Sequence, residues 1–316
     1  MSQAFSSPEA AAAALRRAGY IADPPIATTL YLADALDKPV LVEGPAGVGK
    51  TELAKSTALA LGTELLRLQC YEGLDEAKTL YEWKYAKQLL YTQILRDHLG
   101  QLLGGETDLR RAVDRIAAHE DAFFSDHFLQ PRPLLQAIRA ERRVVLLIDE
   151  VDRAEDELEA FFLEVLGELQ VTVPELGTLR ARHRPLVFLT SNASRELSDA
   201  LRRRCLYLSM NFPGREREAE ILAVRVPELA ASLAARLAAF VAELRQLDLK
   251  KLPSVSETID WARALVVLGI DDLGVDEVNR TLHLLLKYEG DLELAREKSE
   301  TLLEALPAAP EAQVPR

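Results

Sequence analysis

One eight-residue stretch constrains the fold of this chain more than any other. Gly44-Pro45-Ala46-Gly47-Val48-Gly49-Lys50-Thr51 has the pattern G-x-x-x-x-G-K-T and stands between the apolar run Pro39-Val40-Leu41-Val42-Glu43 and an amphipathic helical pattern from Glu52 to Ala60. Its glycines let successive backbone N–H groups curl round an anion with no Cβ in the way. The helix that begins there turns its positive end on the same point. The chemistry implied is a phosphate cradle, with Lys50 on the β- and γ-phosphates of a nucleotide and the Thr51 hydroxyl on a magnesium ion.

A short apolar run bounded by turn formers is a strand buried on both faces. Val40 to Glu43 is the first, Leu65 to Leu68, Val144 to Ile148 and Leu186 to Thr190 follow, and Leu206 to Leu208 is a fifth candidate. Helical patterns lie between them, so the fold expected is α/β, with a mainly parallel five-stranded sheet flanked by helices.

Two of these strands end in chemistry. Val144-Val145-Leu146-Leu147-Ile148 delivers Asp149 and Glu150 at its C-terminal end, where ligands of open α/β sheets bind. Asp149 is placed to hold magnesium through its water shell. Glu150 is placed to polarise a water as general base, which points to hydrolysis. The strand Leu186 to Thr190 runs into Ser191-Asn192, where Asn192 either orients the same water from the other side or forms a turn. Leu201-Arg202-Arg203-Arg204-Cys205 places three cations ahead of the last strand with no acid in their own segment. That suits contact with an anion supplied by a neighbouring molecule, or a solvated basic face.

A length of 316 residues allows two compact domains, and the Leu- and Ala-rich apolar content favours helices. A formal net charge of −12 argues against tight, non-specific binding to nucleic acid or anionic lipid. No basic start with an apolar core and no run of about 18 apolar residues is present, so neither export nor membrane insertion is expected and the compartment expected is the cytoplasm. Cys70 and Cys205 stand far apart in apolar contexts, as buried structural cysteines do. His98, His119, His127, His183 and His283 show no metal-ligand spacing with Cys or Glu.

Asp149 follows Lys50 by 99 positions, more than one helix and crossover need, so an insert is expected at about 71–135. Within it Leu80, Tyr81, Trp83, Tyr85, Leu89, Leu90, Tyr91, Ile94 and Leu95 recur at irregular helical intervals. Residues 1–18 are expected to be a flexible start and 19–213 the nucleotide-binding domain. Beyond Pro213-Gly214 the pattern is helical, giving a smaller all-helical lid at 214–305 and a frayed tail at 306–316.

The order of these motifs resembles that of AAA+ ATPases and, more narrowly, of the MoxR family, with the CoxD-like branch, implicated in maturing carbon monoxide dehydrogenase, the nearest in pattern. Walker A falls at residues 44–51, Walker B at 144–150, sensor 1 at Asn192, and an arginine finger at Arg204, with Arg203 second, because Arg204-Cys205 is similar to the pair that clamp-loader subunits present. Asp149-Glu150-Val151-Asp152-Arg153-Ala154 resembles the MoxR extension of Walker B. The insert falls where that family carries its helix-2 insert, and Val171-Thr172-Val173-Pro174-Glu175-Leu176-Gly177 where it carries a hairpin.

The resemblance implies ATP and Mg2+ as cofactors and an ATP hydrolase assembled as a homo-hexamer. It further implies a von Willebrand factor A domain protein and a client metalloenzyme as partners, with no stable nucleic-acid binding. The nucleotide-binding set is residues 44–51 with Glu52 and Ile21. A DNA-associated AAA+ motor or loader is the alternative. One departure stands out: the expected sensor-2 arginine is replaced by Glu257 in Pro253-Ser254-Val255-Ser256-Glu257-Thr258, so either Arg263, two turns on, takes that role or the lid senses nucleotide by other contacts.

Overall fold

The computed structural model describes residues 4–87, 89, 129–173 and 177–306. In chain order the elements are α1 (Pro8–Arg17), α2 (Pro24–Leu36), β1 (Val40–Glu43), α3 (Lys50–Leu61), β2 (Leu65–Gln69), α4 (Glu76–Leu80), β3 (Tyr81–Trp83), β4 (Leu129–Pro131), α5 (Pro133–Arg139), β5 (Val145–Asp149), α6 (Asp156–Glu168), β6 (Gln170–Val173), β7 (Gly177–Arg180), β8 (Leu186–Ser191), α7 (Asp199–Arg204) and β9 (Leu206–Ser209). The helices α8 (Arg215–Arg225), α9 (Ala231–Leu244), α10 (Val255–Val267), α11 (Val275–Thr281) and α12 (Glu289–Glu304) complete it.

Five strands form one sheet in the order β2-β5-β8-β1-β9, with β5 parallel to both β2 and β8. The expected open α/β sheet is present. Every residue of β5 and β8 is buried, which is why each begins with four apolar residues in a row before its polar end.

By its contacts the chain divides into two units, one of Met1–Leu32, Val42–Leu61 and Tyr207–Arg316, the other of Ala33–Leu41 and Gly62–Leu206. The core of the second unit gathers β2, β5, β8 and helices α5 and α6 around Leu146, Ile148, Leu135, Phe162 and Leu189. The helices after residue 214 in the first unit share a core of their own around Phe240, Trp261 and Leu265. The Trp261 indole N–H donates to Thr281 Oγ1 at 2.8 Å, so this large ring is buried without an orphaned donor. Glu218, fully buried, and Arg245, whose side chain is 6% exposed, meet in two parallel hydrogen bonds of 2.6 and 2.9 Å, and Thr258 Oγ1 donates to the same carboxylate at 3.0 Å.

Two expectations change. Part of the flexible start is helical: α1 is capped by Ser7, whose Oγ accepts from Ala10 N at 3.2 Å, and it buries Ala11, Ala14 and Leu15. Tyr81 to Trp83, read within a helical pattern, is a strand instead, paired antiparallel with Leu129–Pro131. That two-stranded ribbon ties together the two ends of the insert, whose interior, like the tail after residue 306, lies outside the described residues. The hairpin expected from residue 171 is present, with Val173 opposite Gly177 and Thr172 opposite Thr178.

Candidate functional site

In the first unit the loop at 44–51 is shaped by close approaches. A Cβ on Gly44 would run into the carbonyl oxygen of Met210, and one on Gly47 into the Ser254 side chain. Gly47 and Gly49 also hold φ of 79° and 100°, conformations that favour glycine. Val255 N donates to Gly47 O at 3.2 Å, fastening the start of α10 to the loop. The buried Lys50 ammonium donates to Gly44 O at 2.7 Å and Pro45 O at 2.8 Å, so the loop closes around its own cation. Thr51 and Glu52 follow in the first turn of α3.

Beside this loop lies a cavity of about 120 Å3, lined from the α1–α2 connection by Tyr20 and Ile21, from the loop by Gly47, Val48 and Gly49, and from α3 by Glu52. The helices after residue 214 add Arg217, Ile221, Arg225, Val255, Ser256 and Ile259. A recess with an apolar side of Ile21, Val48, Ile221 and Ile259 and a charged side of Glu52, Arg217 and Arg225, adjoining a glycine cradle, fits a nucleotide whose base is buried and whose phosphates meet backbone N–H groups. Burial also pushes the Tyr20 hydroxyl up, keeping it neutral.

Two cations of this recess differ in their partners. Arg217 is clasped by the Asp23 carboxylate and by Ile21 O, the latter at 2.9 Å. Arg225 donates to Glu52 Oε1 at 2.8 Å, a pair in which both side chains are about one-third exposed. Glu257 has a structural task. Its Oε2 accepts from Ser254 N at 2.7 Å while Ser254 Oγ accepts from Glu257 N at 3.2 Å, the reciprocal capping box of α10. Arg263 pairs with Asp260 at 3.5 Å and is not among the residues lining the recess.

In the second unit the ends of β5 and β8 are fastened together. The Thr190 hydroxyl donates to Asp149 Oδ1 and accepts from Glu150 N at 2.9 Å, so one buried oxygen fixes both acids. Asp149 Oδ2 also accepts from Arg67 on β2, at 2.9 Å from Nε and 2.5 Å from Nη2. Glu150 stands in the left-handed region at φ 56° and ψ 51°, a conformation a non-glycine residue keeps only when its surroundings impose it. Its carboxylate meets Arg153 Nη1 at 3.2 Å.

Asp152, also buried, accepts from Asn192 N at 3.2 Å, Ser194 N at 3.0 Å and Ser194 Oγ at 2.6 Å. Burial alone would raise its pKa, but those hydrogen bonds outweigh burial and hold the carboxyl below its ordinary value. Cys70, whose N–H donates to Asp149 O at 2.8 Å, is free and buried, and burial with the nearby acids pushes its thiol up to about 12. A cysteine so placed is inert packing, as its sequence context suggests.

The cluster Arg202-Arg203-Arg204 closes α7, itself capped by Ser198. Arg204 donates to Leu163 O on α6 of its own chain and lines a separate cavity with Lys38, Gly167 and Arg184. Arg203 is exposed. Thus Ile21, Gly47, Val48, Gly49 and Glu52 share one recess, Asp149 and Glu150 meet at Thr190, and Asn192 is held by Asp152. Sequence reasoning passed over Thr190, Asp152, Arg67, Arg217 and Arg225. Two signals were available: a lone arginine in the otherwise apolar Leu65-Leu66-Arg67-Leu68, and Arg217, Ile221 and Arg225 at i, i+4 and i+8 on one face of α8.

A glycine loop closed by a lysine at the start of a helix, in a chain whose open parallel sheet has an interior strand, β5, ending in paired acids, defines a P-loop nucleotide-binding protein. A family model described as "ATPase family associated with various cellular activities (AAA)" matches residues 40–212, more than half of the chain, and the chain belongs to that family. Among solved structures it is similar to the Thermotoga maritima RuvB Holliday junction branch migration motor, at 19% identity over 88% of this chain and 74% of that one, with a TM-score of 0.47. A mutant of the same motor aligns at 18% identity over 95% of this chain and 78% of that one, with a TM-score of 0.48. A search of curated proteins finds no match. No helix among the described residues is long and apolar enough to cross a membrane.

Proposed function

We propose that this AAA protein is a magnesium-dependent ATP hydrolase of the MoxR type, in which Glu150 is the general base. The observation that carries the hydrolytic part is Glu150 itself, held left-handed at a strand end with its amide bound to Thr190. A carboxylate fixed this way is preorganised to polarise a water instead of moving with solvent. In this reading Lys50 and the glycine loop bind the phosphates, Thr51 and Asp149 hold Mg2+, and Asn192 orients the water from the far side. When bound, the metal neutralises charge that builds on the γ-phosphate.

The narrower reading is a cytoplasmic ring, a hexamer, that remodels a client metalloenzyme during cofactor insertion with a von Willebrand factor A domain protein as partner, residues 214–305 serving as lid. What supports it is the motif order together with the hairpin β6–β7 and the insert anchored by β3–β4. Arg204 and Arg203 are the cations offered to a neighbouring subunit.

Glu150→Gln tests the base: phosphate release should stop while ATP binding persists, and an unchanged rate would refute the role. Mixing Arg203→Ala/Arg204→Ala subunits with Lys50→Ala subunits tests the ring. Partial recovery of turnover is expected, and no recovery at any ratio would refute a finger supplied in trans.

A further inference from the structure

We infer that Arg225 is the lid residue that binds the nucleotide's phosphate chain, exchanging Glu52 for phosphate when ATP enters; the inference rests on the nucleotide site proposed above. The charged groups lining the recess are Glu52, Arg217 and Arg225. Arg217 is committed to Asp23 and to the Ile21 carbonyl, contacts that hold the α1–α2 connection against α8. Among the described residues Arg225 has one ionic partner, Glu52, and the pair is about one-third exposed on both sides, the class of ion pair that holds its members weakly.

Glu52 sits in the first turn of α3, directly after the lysine and threonine of the cradle. That helix terminus attracts anions, and the acid in its first turn is this carboxylate, paired with Arg225 at 2.8 Å and with Lys55 at 4.0 Å. A polyphosphate arriving at the same terminus brings more charge, in geometry that a guanidinium matches with two parallel donors. Arg225 is therefore drawn from the carboxylate to the phosphate. The lid then feels the nucleotide through α8, while Glu257 and Arg263 stay with their own helix.

The exchange makes opposite predictions for the two members of the pair, which a purely structural clasp does not. Binding of a fluorescent ATP analogue is measured by titration for the wild-type chain, Arg225→Ala, Arg225→Lys, Glu52→Gln and Lys50→Ala, with the melting temperature of each nucleotide-free variant as a folding check. Arg225→Ala should bind about tenfold more weakly, the loss of one charge-assisted hydrogen bond. Arg225→Lys should recover part of that affinity, and Glu52→Gln, by removing the competitor, should bind up to about fivefold more tightly. Equal weakening by Arg225→Ala and Glu52→Gln would reduce the pair to a clasp and overturn the inference, as would full affinity in Arg225→Ala. Lys50→Ala separates the two levels: if it binds as the wild type does, the nucleotide site itself is wrong, whereas its loss of binding with Arg225→Ala unaffected overturns the Arg225 inference alone.

Discussion

Thr190→Val removes one oxygen and tests how the two acids at the end of β5 are held. Valine keeps the shape, so the buried strand can still pack, but the Asp149 carboxylate loses a donor and the Glu150 amide loses its acceptor. A charge-assisted bond contributes about 1.5–3 kcal/mol and an amide left unpaired costs about 1–3 kcal/mol. A buried methyl in place of the hydroxyl returns about 1 kcal/mol. The net expectation is a loss of about 3 kcal/mol, seen as a fall of about 1 M in the urea midpoint at a slope of about 3 kcal/mol per molar.

Activity should suffer more than stability. The left-handed backbone at Glu150 costs about 1–2 kcal/mol relative to ordinary conformations, and the hydrogen bond its N–H donates to Thr190 Oγ1 opposes its relaxation. Without that bond the carboxylate moves, and a misplacement of about 1 Å costs on the order of 100-fold in turnover. The assays are urea unfolding by circular dichroism and steady-state phosphate release, with ATP affinity expected to stay within about threefold. Thr190→Ser, which keeps the hydroxyl, should lose about 1 kcal/mol and little turnover. A Thr190→Val protein that matches the wild type in both midpoint and rate would refute the reasoning.

Gly47→Ala must place a Cβ against Ser254 at a φ of 79°, so ATP affinity should fall at least tenfold, checked by the same titration; wild-type affinity would show that the loop adapts. Arg245→Met strands the fully buried Glu218 carboxylate and should cost about 3–5 kcal/mol in urea unfolding. Asp152 is held below its ordinary pKa, so its share of stability is present above the unfolded value of 3.8 and is lost as pH falls through the lower folded value. Asp152→Asn should therefore flatten the acid limb of a stability-against-pH curve below that value, and an unchanged limb would count against the network joining Asp152 to Asn192 and Ser194. Because the same side chain holds the Asn192 backbone, Asp152→Asn should also lower turnover more than ATP affinity.

How far the fold could be read from sequence depended on whether the cause was local. Strands β5 and β8 were legible because burial on both faces selects a continuous apolar run up to their polar ends, and the loop at 44–51 because one contiguous segment carries its chemistry. Strand β3 was not. Tyr81-Glu82-Trp83 sits among residues at helical spacing, and what makes it a strand is a partner at Leu129–Pro131, beyond a long intervening segment. Thr190 and Asp152 escaped for the same reason, since each acts on residues about 40 positions away, where a hydroxyl or carboxylate has no distinctive neighbours in sequence.

Glu257 is the instructive contrast, because its cause was local and still misread. Viewed as a replacement for a phosphate-sensing arginine, a glutamate is the wrong charge. Viewed with Ser254 three residues earlier, it completes S-x-x-E ahead of an apolar helical run, a motif with its own physical reason. The carboxylate that caps α10 spends its charge on the Ser254 amide and stands near Lys251, at 3.7 Å, so it presents no uncompensated anion to a phosphate. In the proposed lid, α10 is anchored at its start by Val255 N on the loop carbonyl of Gly47 and packs beside α8. Sensing can then pass to whichever cation α8 turns toward the cradle, and the face that carries Arg217, Ile221 and Arg225 supplies it. Breaking the cap with Ser254→Ala should therefore cost about 1 kcal/mol of stability and weaken ATP binding through α8, with Arg225→Ala adding little further weakening in that background. Full additivity of the two losses in the titration would refute the idea that the cap works by aiming Arg225.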